Sequence, residues 1–117
     1  MNFVVHFNKW WWGSTATVIF GEGLGIVEIQ FDDNYPSIAF IKGLSVLELH
    51  RRKGLGKELI DHCVSIALRE KKQFLQLSVD KEQEWIVAWY QRLGFITILT
   101  DEHEFTMMKV LKEGGKE

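Results

Sequence analysis

The residues in this chain most able to do chemistry together form the run Arg51-Arg52-Lys53-Gly54-Leu55-Gly56-Lys57. The apolar stretch Ser37 to Leu47 precedes it, and residues with helical periodicity follow from Leu55. The first amides of a helix have no partner within the helix and carry partial positive charge. Glycines let an anion approach those amides without meeting a Cβ, so this turn fits a phosphate group. Arg51, Arg52 and Lys53 add formal charge around it. The plainer alternative is a solvated basic turn broken by two glycines. Two other phosphate loops are excluded. A P-loop needs Ser or Thr after Gly-Lys, and Gly56-Lys57 is followed by Glu58. A dinucleotide fingerprint needs a glycine at 59, which is Leu59.

The elements around the turn follow from hydrophobic spacing. Phe3, Val5 and Phe7 alternate with Val4 and His6, Thr15 to Phe20 is rich in β-branched residues, and Gly25 to Phe31 alternates again. Ser37 to Leu47 reads as a strand covered on both faces, with Gly43 marking a bulge or a close approach. Leu55, Leu59, Ile60, Cys63, Val64, Ala67 and Leu68 predict an amphipathic helix from Leu55 to Lys71. Gln73 to Val79 is a short strand. Asp80 is placed to cap a second helix, with Gln83 completing a capping box, and Gly94 ends that helix near Leu93. Strands near Ile96 to Leu99 and Phe105 to Leu111 close the chain. The order is β-β-β-β-α-β-α-β-β, an α/β (α+β) chain with a largely antiparallel start.

Composition narrows the function. The 117 residues, 46% of them hydrophobic, suit one domain, read as 1–112 with a polar tail at 113–117. A formal net charge of -2 argues against a nucleic-acid binder, which needs a strongly basic surface. The longest apolar runs are far short of a membrane span, and the N-terminal residues lack the pattern of a signal peptide. One cysteine, Cys63, allows no internal disulfide, so a reducing compartment, the cytoplasm, is expected. Cys63 lies on the core face of its helix and reads as a small hydrophobe rather than a nucleophile. His6, His50, His62 and His103 have no metal-ligand spacing, so no metal is expected.

With both halves in view, the chain resembles the GNAT acetyltransferase superfamily. That family's cofactor motif, Arg/Gln-x-x-Gly-x-Gly/Ala after a long central strand, is matched by Arg51 to Gly56. Gly43-Leu44-Ser45-Val46-Leu47 is similar to the strand before it. Trp89-Tyr90-Gln91-Arg92-Leu93-Gly94-Phe95 is similar to the family's aromatic-Tyr-x-x-Leu-Gly-Phe segment. The resemblance covers Ser37 to Leu111. It implies a mixed, mostly antiparallel sheet with two main helices, and acetyl-CoA as the donor. The CoA pyrophosphate would lie on Arg51, Arg52, Lys53, Gly54, Leu55, Gly56 and Lys57, and the pantetheine arm along Leu44, Ser45 and Val46. A backbone N–H there would polarise the thioester carbonyl, a primary amine would attack directly, and Tyr90 would protonate the departing sulfur. The amine belongs to a small molecule or a protein.

Three departures from the family pattern stand out. Two helices usually wall the acceptor site between the first two strands, but here only Asn8 to Ser14 is available, with Trp10-Trp11-Trp12. The three indoles read as a cover for core left bare or as a contact in a homodimer, with a cation–π wall for an amine as the alternative. The usual glutamate base before Gly43 is Lys42. Glu28, if it lies opposite Lys42, is a substitute catalytic base through water or simply an ion-pair partner. Gln83 stands where the family often has an asparagine near the cofactor arm, a role that competes with capping. These departures keep a second reading open, a catalytically weak acyl-CoA-binding module.

Overall fold

A computed structural model describes residues 2–47 and 53–111. Arg51 and Arg52 lie outside the described residues, as does the whole tail at 113–117.

Seven strands form one sheet in the order β1-β2-β3-β4-β5-β7-β6. They are β1 (Phe3–Trp10), β2 (Gly13–Phe20), β3 (Gly25–Asp32), β4 (Ile38–Val46), β5 (Phe74–Asp80), β6 (Ile96–Thr100) and β7 (Glu104–Val110). Helix α1 (Leu55–Arg69) links β4 to β5, and α2 (Glu84–Arg92) links β5 to β6. All neighbouring pairs are antiparallel except β4 and β5. A parallel pair needs a crossover, which α1 provides. The expected element order and mixed sheet are those observed.

Alternation divides the sheet into two faces. Val18, Val27, Ile29, Phe31 and Ala39 are buried on the face that α1 covers with Leu55, Leu59, Ile60, Cys63, Ile66 and Ala67. Gly25 permits this contact, because a Cβ there would meet Leu55 and Leu59 at 3.0 and 3.1 Å. Phe3 of β1 joins the same face and packs on the His62 ring at 4.2 Å.

The Asn8 to Ser14 segment is not a separate connection. β1 runs through Trp10, which pairs with Gly13, so Trp11 and Trp12 are the two-residue turn of a hairpin. Trp10 is 51% exposed and Trp11 92%. Trp11 therefore covers no core, whereas Trp12 is half-buried and Trp10 lies over the buried Thr15. This Trp10 indole is on the sheet face opposite α1, with its Nε1 donating to Thr15 Oγ1 at 3.2 Å.

The helix ends also differ from expectation. α1 stops at Arg69 rather than Lys71 because Lys71 takes a left-handed φ of 64°. Its amide then bonds the Leu68 carbonyl, and the Lys72 amide bonds the Ala67 carbonyl, each at 2.9 Å. No capping box forms at α2. Asp80 Oδ1 accepts from the Glu82 amide at 2.9 Å, and Gln83 is itself the N-cap residue without a side-chain cap bond. At the other end, the Gly94 amide bonds the Gln91 carbonyl and the Phe95 amide bonds the Tyr90 carbonyl. This closed C-terminal motif folds the buried Phe95 ring back onto Tyr90.

Candidate active site

The site is built where the sheet splits. β4 and β5 pair only at Ile38, Ala39 and Phe40 with Phe74, Leu75 and Gln76. Beyond those residues both strands continue unpaired with each other, and a cleft of about 490 Å³ opens between them. Its walls include Phe40, Lys42, Gly43 and Leu44 from β4, Gln76, Ser78 and Asp80 from β5, and Gln83, Ile86 and Tyr90 beside them. A second cleft of about 1000 Å³ runs between the end of β4, the start of α1 and the face of α2. Leu44, Gln83, Ile86 and Tyr90 line both clefts, so the two are continuous.

The start of α1 closes one side of the larger cleft. Gly54 is its N-cap residue with φ 83°, a left-handed conformation that glycine accepts without a Cβ penalty. No side chain caps the helix, and its first internal bond is from the Glu58 amide to the Gly54 carbonyl at 3.1 Å. The amides of Leu55, Gly56 and Lys57 are thus the open donors of a helix N-terminus. Gly56 lines the cleft, and a Cβ on it would meet the Trp89 ring at 3.1 Å. That close approach is what brings the α1 amides to the wall formed by α2.

Tyr90 is the buried residue of α2. Its ring is held edge-on by Trp89 at 4.9 Å and by Phe95 at 5.3 Å. Burial, with the Cys63 thiol adding to it, pushes its phenol up to about 12. The hydroxyl therefore keeps its proton across the neutral range. Burial likewise raises the Cys63 thiol to about 12, which supports its reading as a core residue rather than a nucleophile. No group of three or more potential metal ligands occurs among the described residues.

The structure thus brings Leu44, Ser45, Val46, Gly56, Gln83 and Tyr90 together around the clefts. It does not bring every expected residue there. Leu55 is buried in the core, and Lys57 points along α1 to pair with Asp61 at 2.9 Å. Lys53 is exposed and lines neither cleft. Glu28 also lies outside both. Val27 pairs with Leu44 and Ile29 with Ile41, so Glu28 faces the bulge made by Lys42 and Gly43. The bulge at Gly43 is where the sequence places it. The ion pair with Lys42 does not form, and Glu28 Oε2 instead accepts from Gln30 Nε2 at 3.0 Å. Sequence reasoning missed Trp85, Ala88 and Arg92, which line the larger cleft with Trp89. Their spacing of three and four residues puts them on one helical face, a signal present in the sequence.

Known proteins share this fold. The structure is similar to nourseothricin acetyltransferase, with TM-score 0.74 and 18% identity over 86% of this chain and 66% of that one, so the chain spans just under two thirds of that protein. It is similar to the ribosomal-protein-S18-alanine N-acetyltransferase of Escherichia coli, with TM-score 0.74 and 18% identity over 92% of this chain and 75% of that one. It is also similar to a GNAT family acetyltransferase from Elizabethkingia anophelis with acetyl-CoA bound, with TM-score 0.72 and 14% identity over 86% and 77% of the two chains. The family model for the acetyltransferase (GNAT) family matches residues 5–95. A split β4–β5 pair, an uncapped helix behind it and a buried tyrosine beside it, within a chain matched over most of its length, show that this protein belongs to the acetyltransferase (GNAT) family.

Proposed function

We propose that the chain transfers the acetyl group of acetyl-CoA to a primary amine by direct attack. One observation carries this reading: the two clefts are continuous through Leu44, Gln83, Ile86 and Tyr90, so the uncapped start of α1 and the gap between β4 and β5 share one groove. The donor fits these residues. The α1 amides suit its pyrophosphate, Gly56 leaves room beside them, and β4 from Leu44 to Val46 suits an extended amide-bearing arm. The Gln83 amide, not engaged in capping, is a further contact for that arm. In sequence, Arg51, Arg52 and Lys53 add positive charge next to this helix start, whereas Lys57 is paired with Asp61.

When bound, acetyl-CoA supplies an activated acyl carbon and a thiolate leaving group. The chain supplies protons and position. Burial raises the Tyr90 hydroxyl to about 12, so it keeps its proton at neutral pH, and its place beside both clefts, rather than its acid strength, makes it the donor for a departing sulfur. Lys42, a wall of the smaller cleft, disfavours a second positive charge and so favours the neutral amine. Glu28 lies outside both clefts, so it has no catalytic role in this reading. The acceptor is an amine of a small molecule or protein, and the single buried thiol supports a cytoplasmic setting.

The alternative, an acyl-CoA-binding module with weak turnover, draws on one observation. Among the described residues, Asp80 is the sole acidic residue lining either cleft, and its Oδ1 is engaged by the Glu82 amide. Calorimetric CoA titration with a thioester-cleavage assay over a panel of amines decides between the two. Acetylation of at least one amine supports the transferase, whereas tight CoA binding without cleavage supports the module. Gly56→Glu should abolish CoA binding, because its Cβ displaces the Trp89 ring and its carboxylate adds negative charge beside the α1 amides, with circular dichroism checking that the protein is folded. Unchanged affinity would remove the α1 N-terminus from the cofactor site.

A further inference from the structure

The face of the sheet opposite α1 is not bare at its β1–β3 end. Strand register lays out one row across it: Gln76, Phe40, Gln30, Thr15 and Asn8. Phe40 and Gln76 are walls of the smaller cleft. At the far end, Trp10 Nε1 donates to Thr15 Oγ1 at 3.2 Å, which ties the indole to that row. Trp12 lies parallel to Trp10, with 1° between the ring planes and 6.4 Å between the centroids. Thr15 is two strands from Phe40, roughly 10 Å at the usual strand spacing. The row thus joins the cleft to a stacked pair of indoles, Trp10 exposed and Trp12 half-buried.

Charge along this surface has a direction. Lys42 is at the cleft. Beyond it, Glu28 sits next to the row and turns along its own strand to Gln30 instead of across to Lys42. Asp32 follows Glu28 and Gln30 in the same alternation, beside Gly13 at the hairpin. Carboxylates and indole faces both attract cations, whereas at the cleft Lys42 opposes one on the β4 wall and Asp80, the carboxylate there, is on the β5 wall.

Resting on the acetyltransferase reading, we propose that this row is the acceptor subsite. It takes a linear amine carrying a second positive charge about 10 Å from the amine that reacts, such as an α,ω-diamine or a peptide with a basic side chain. The neutral end enters at Lys42 and Phe40. The charged end rests between Glu28 and the Trp10 and Trp12 indoles.

The test compares the eight-carbon α,ω-diamine with octylamine, which has the same chain and lacks the second charge. Binding to the CoA-saturated protein is measured by calorimetry, and the Trp10 indole N–H resonance is followed in parallel. The diamine should bind about tenfold tighter and shift that resonance. Trp10→Leu and Glu28→Gln should each cut the diamine-to-octylamine affinity ratio several-fold. The near-isosteric Glu28→Gln keeps the test decisive if Trp10→Leu does not fold. Equal affinities, tighter binding of octylamine, or a ratio unchanged in the folded variants would overturn the proposal. Because the measurement is of binding, failure to acetylate either amine would instead count against the transferase reading.

Discussion

Tyr90 is fixed by two aromatic edges and by the closed turn at Gly94, so removing its hydroxyl leaves the packing intact. In Tyr90→Phe, kcat should fall at least about tenfold, the low end for loss of a positioned acid. The CoA dissociation constant should change little. Wild-type turnover in this variant would mean that another donor or bulk water protonates the thiolate. The raised phenol also sets a pH expectation. Since Tyr90 stays protonated up to about 12, kcat should not fall between about pH 8 and pH 10 through loss of this proton. A descending limb in that range that disappears in Tyr90→Phe would contradict the assignment.

At the scale of elements, α2 presents Trp85, Ala88, Trp89 and Arg92 to the larger cleft. Trp85 is 68% exposed although it forms part of that wall. CoA binding should therefore quench indole fluorescence, and Trp85→Ala should remove much of the quench and weaken CoA by roughly three- to tenfold. An unaltered quench would place the cofactor elsewhere along α2. The end of α1 offers a separate test of local physics. Lys71 holds a left-handed φ that costs a side-chain-bearing residue about 1 kcal/mol or more. Lys71→Gly should stabilise the fold by roughly 0.5–1 kcal/mol in urea denaturation, since glycine is the usual residue at this position. Destabilisation would mean that the entropy of the unfolded glycine outweighs the relief of strain.

For the whole molecule, the two buried acids couple stability to alkaline pH. The Cys63 thiol rises from its ordinary 9.0, and the Tyr90 phenol from 10.0, each to about 12. Between the ordinary and raised values the folded chain keeps protons that the unfolded chain has lost. Stability must then fall as pH rises through that window. Thermal melts should begin to drop near pH 9, and Cys63→Ala should move the onset toward pH 10. A flat melting temperature up to pH 11 would show that neither group is buried as described. At the outer end of the sheet, β6 is an open edge with Ile96 61% and Leu99 66% exposed. Such edges pair readily with other chains. If a homodimer forms there, sedimentation should show it weakening in Leu99→Lys, whereas an unchanged association would direct the search to the Trp11 hairpin.

Much of this was legible in the chain itself because it is local. Alternation in Val27, Ile29 and Phe31 and the helical spacing from Leu55 specify element type wherever one face is buried. Gly54 and Gly56 mark the start of α1 by what glycine alone permits, a left-handed N-cap and a close approach to Trp89. Gly43 marked its bulge, and Gly94 the end of α2, for the same reason. The rest depended on register and on how far strands stay paired, which no local pattern encodes. The bulge sends Glu28 toward Gln30 and leaves Lys42 unpaired with it. The two-residue hairpin turns Trp11 outward and lays Trp10 over Thr15, and the Asp80 side chain engages Glu82 in place of a capping box with Gln83. Above all, the parting of β4 from β5 after Phe40 creates the groove that gathers Leu44, Gln83 and Tyr90. It depends on strand pairs, helix packing and close glycine contacts from distant parts of the sequence.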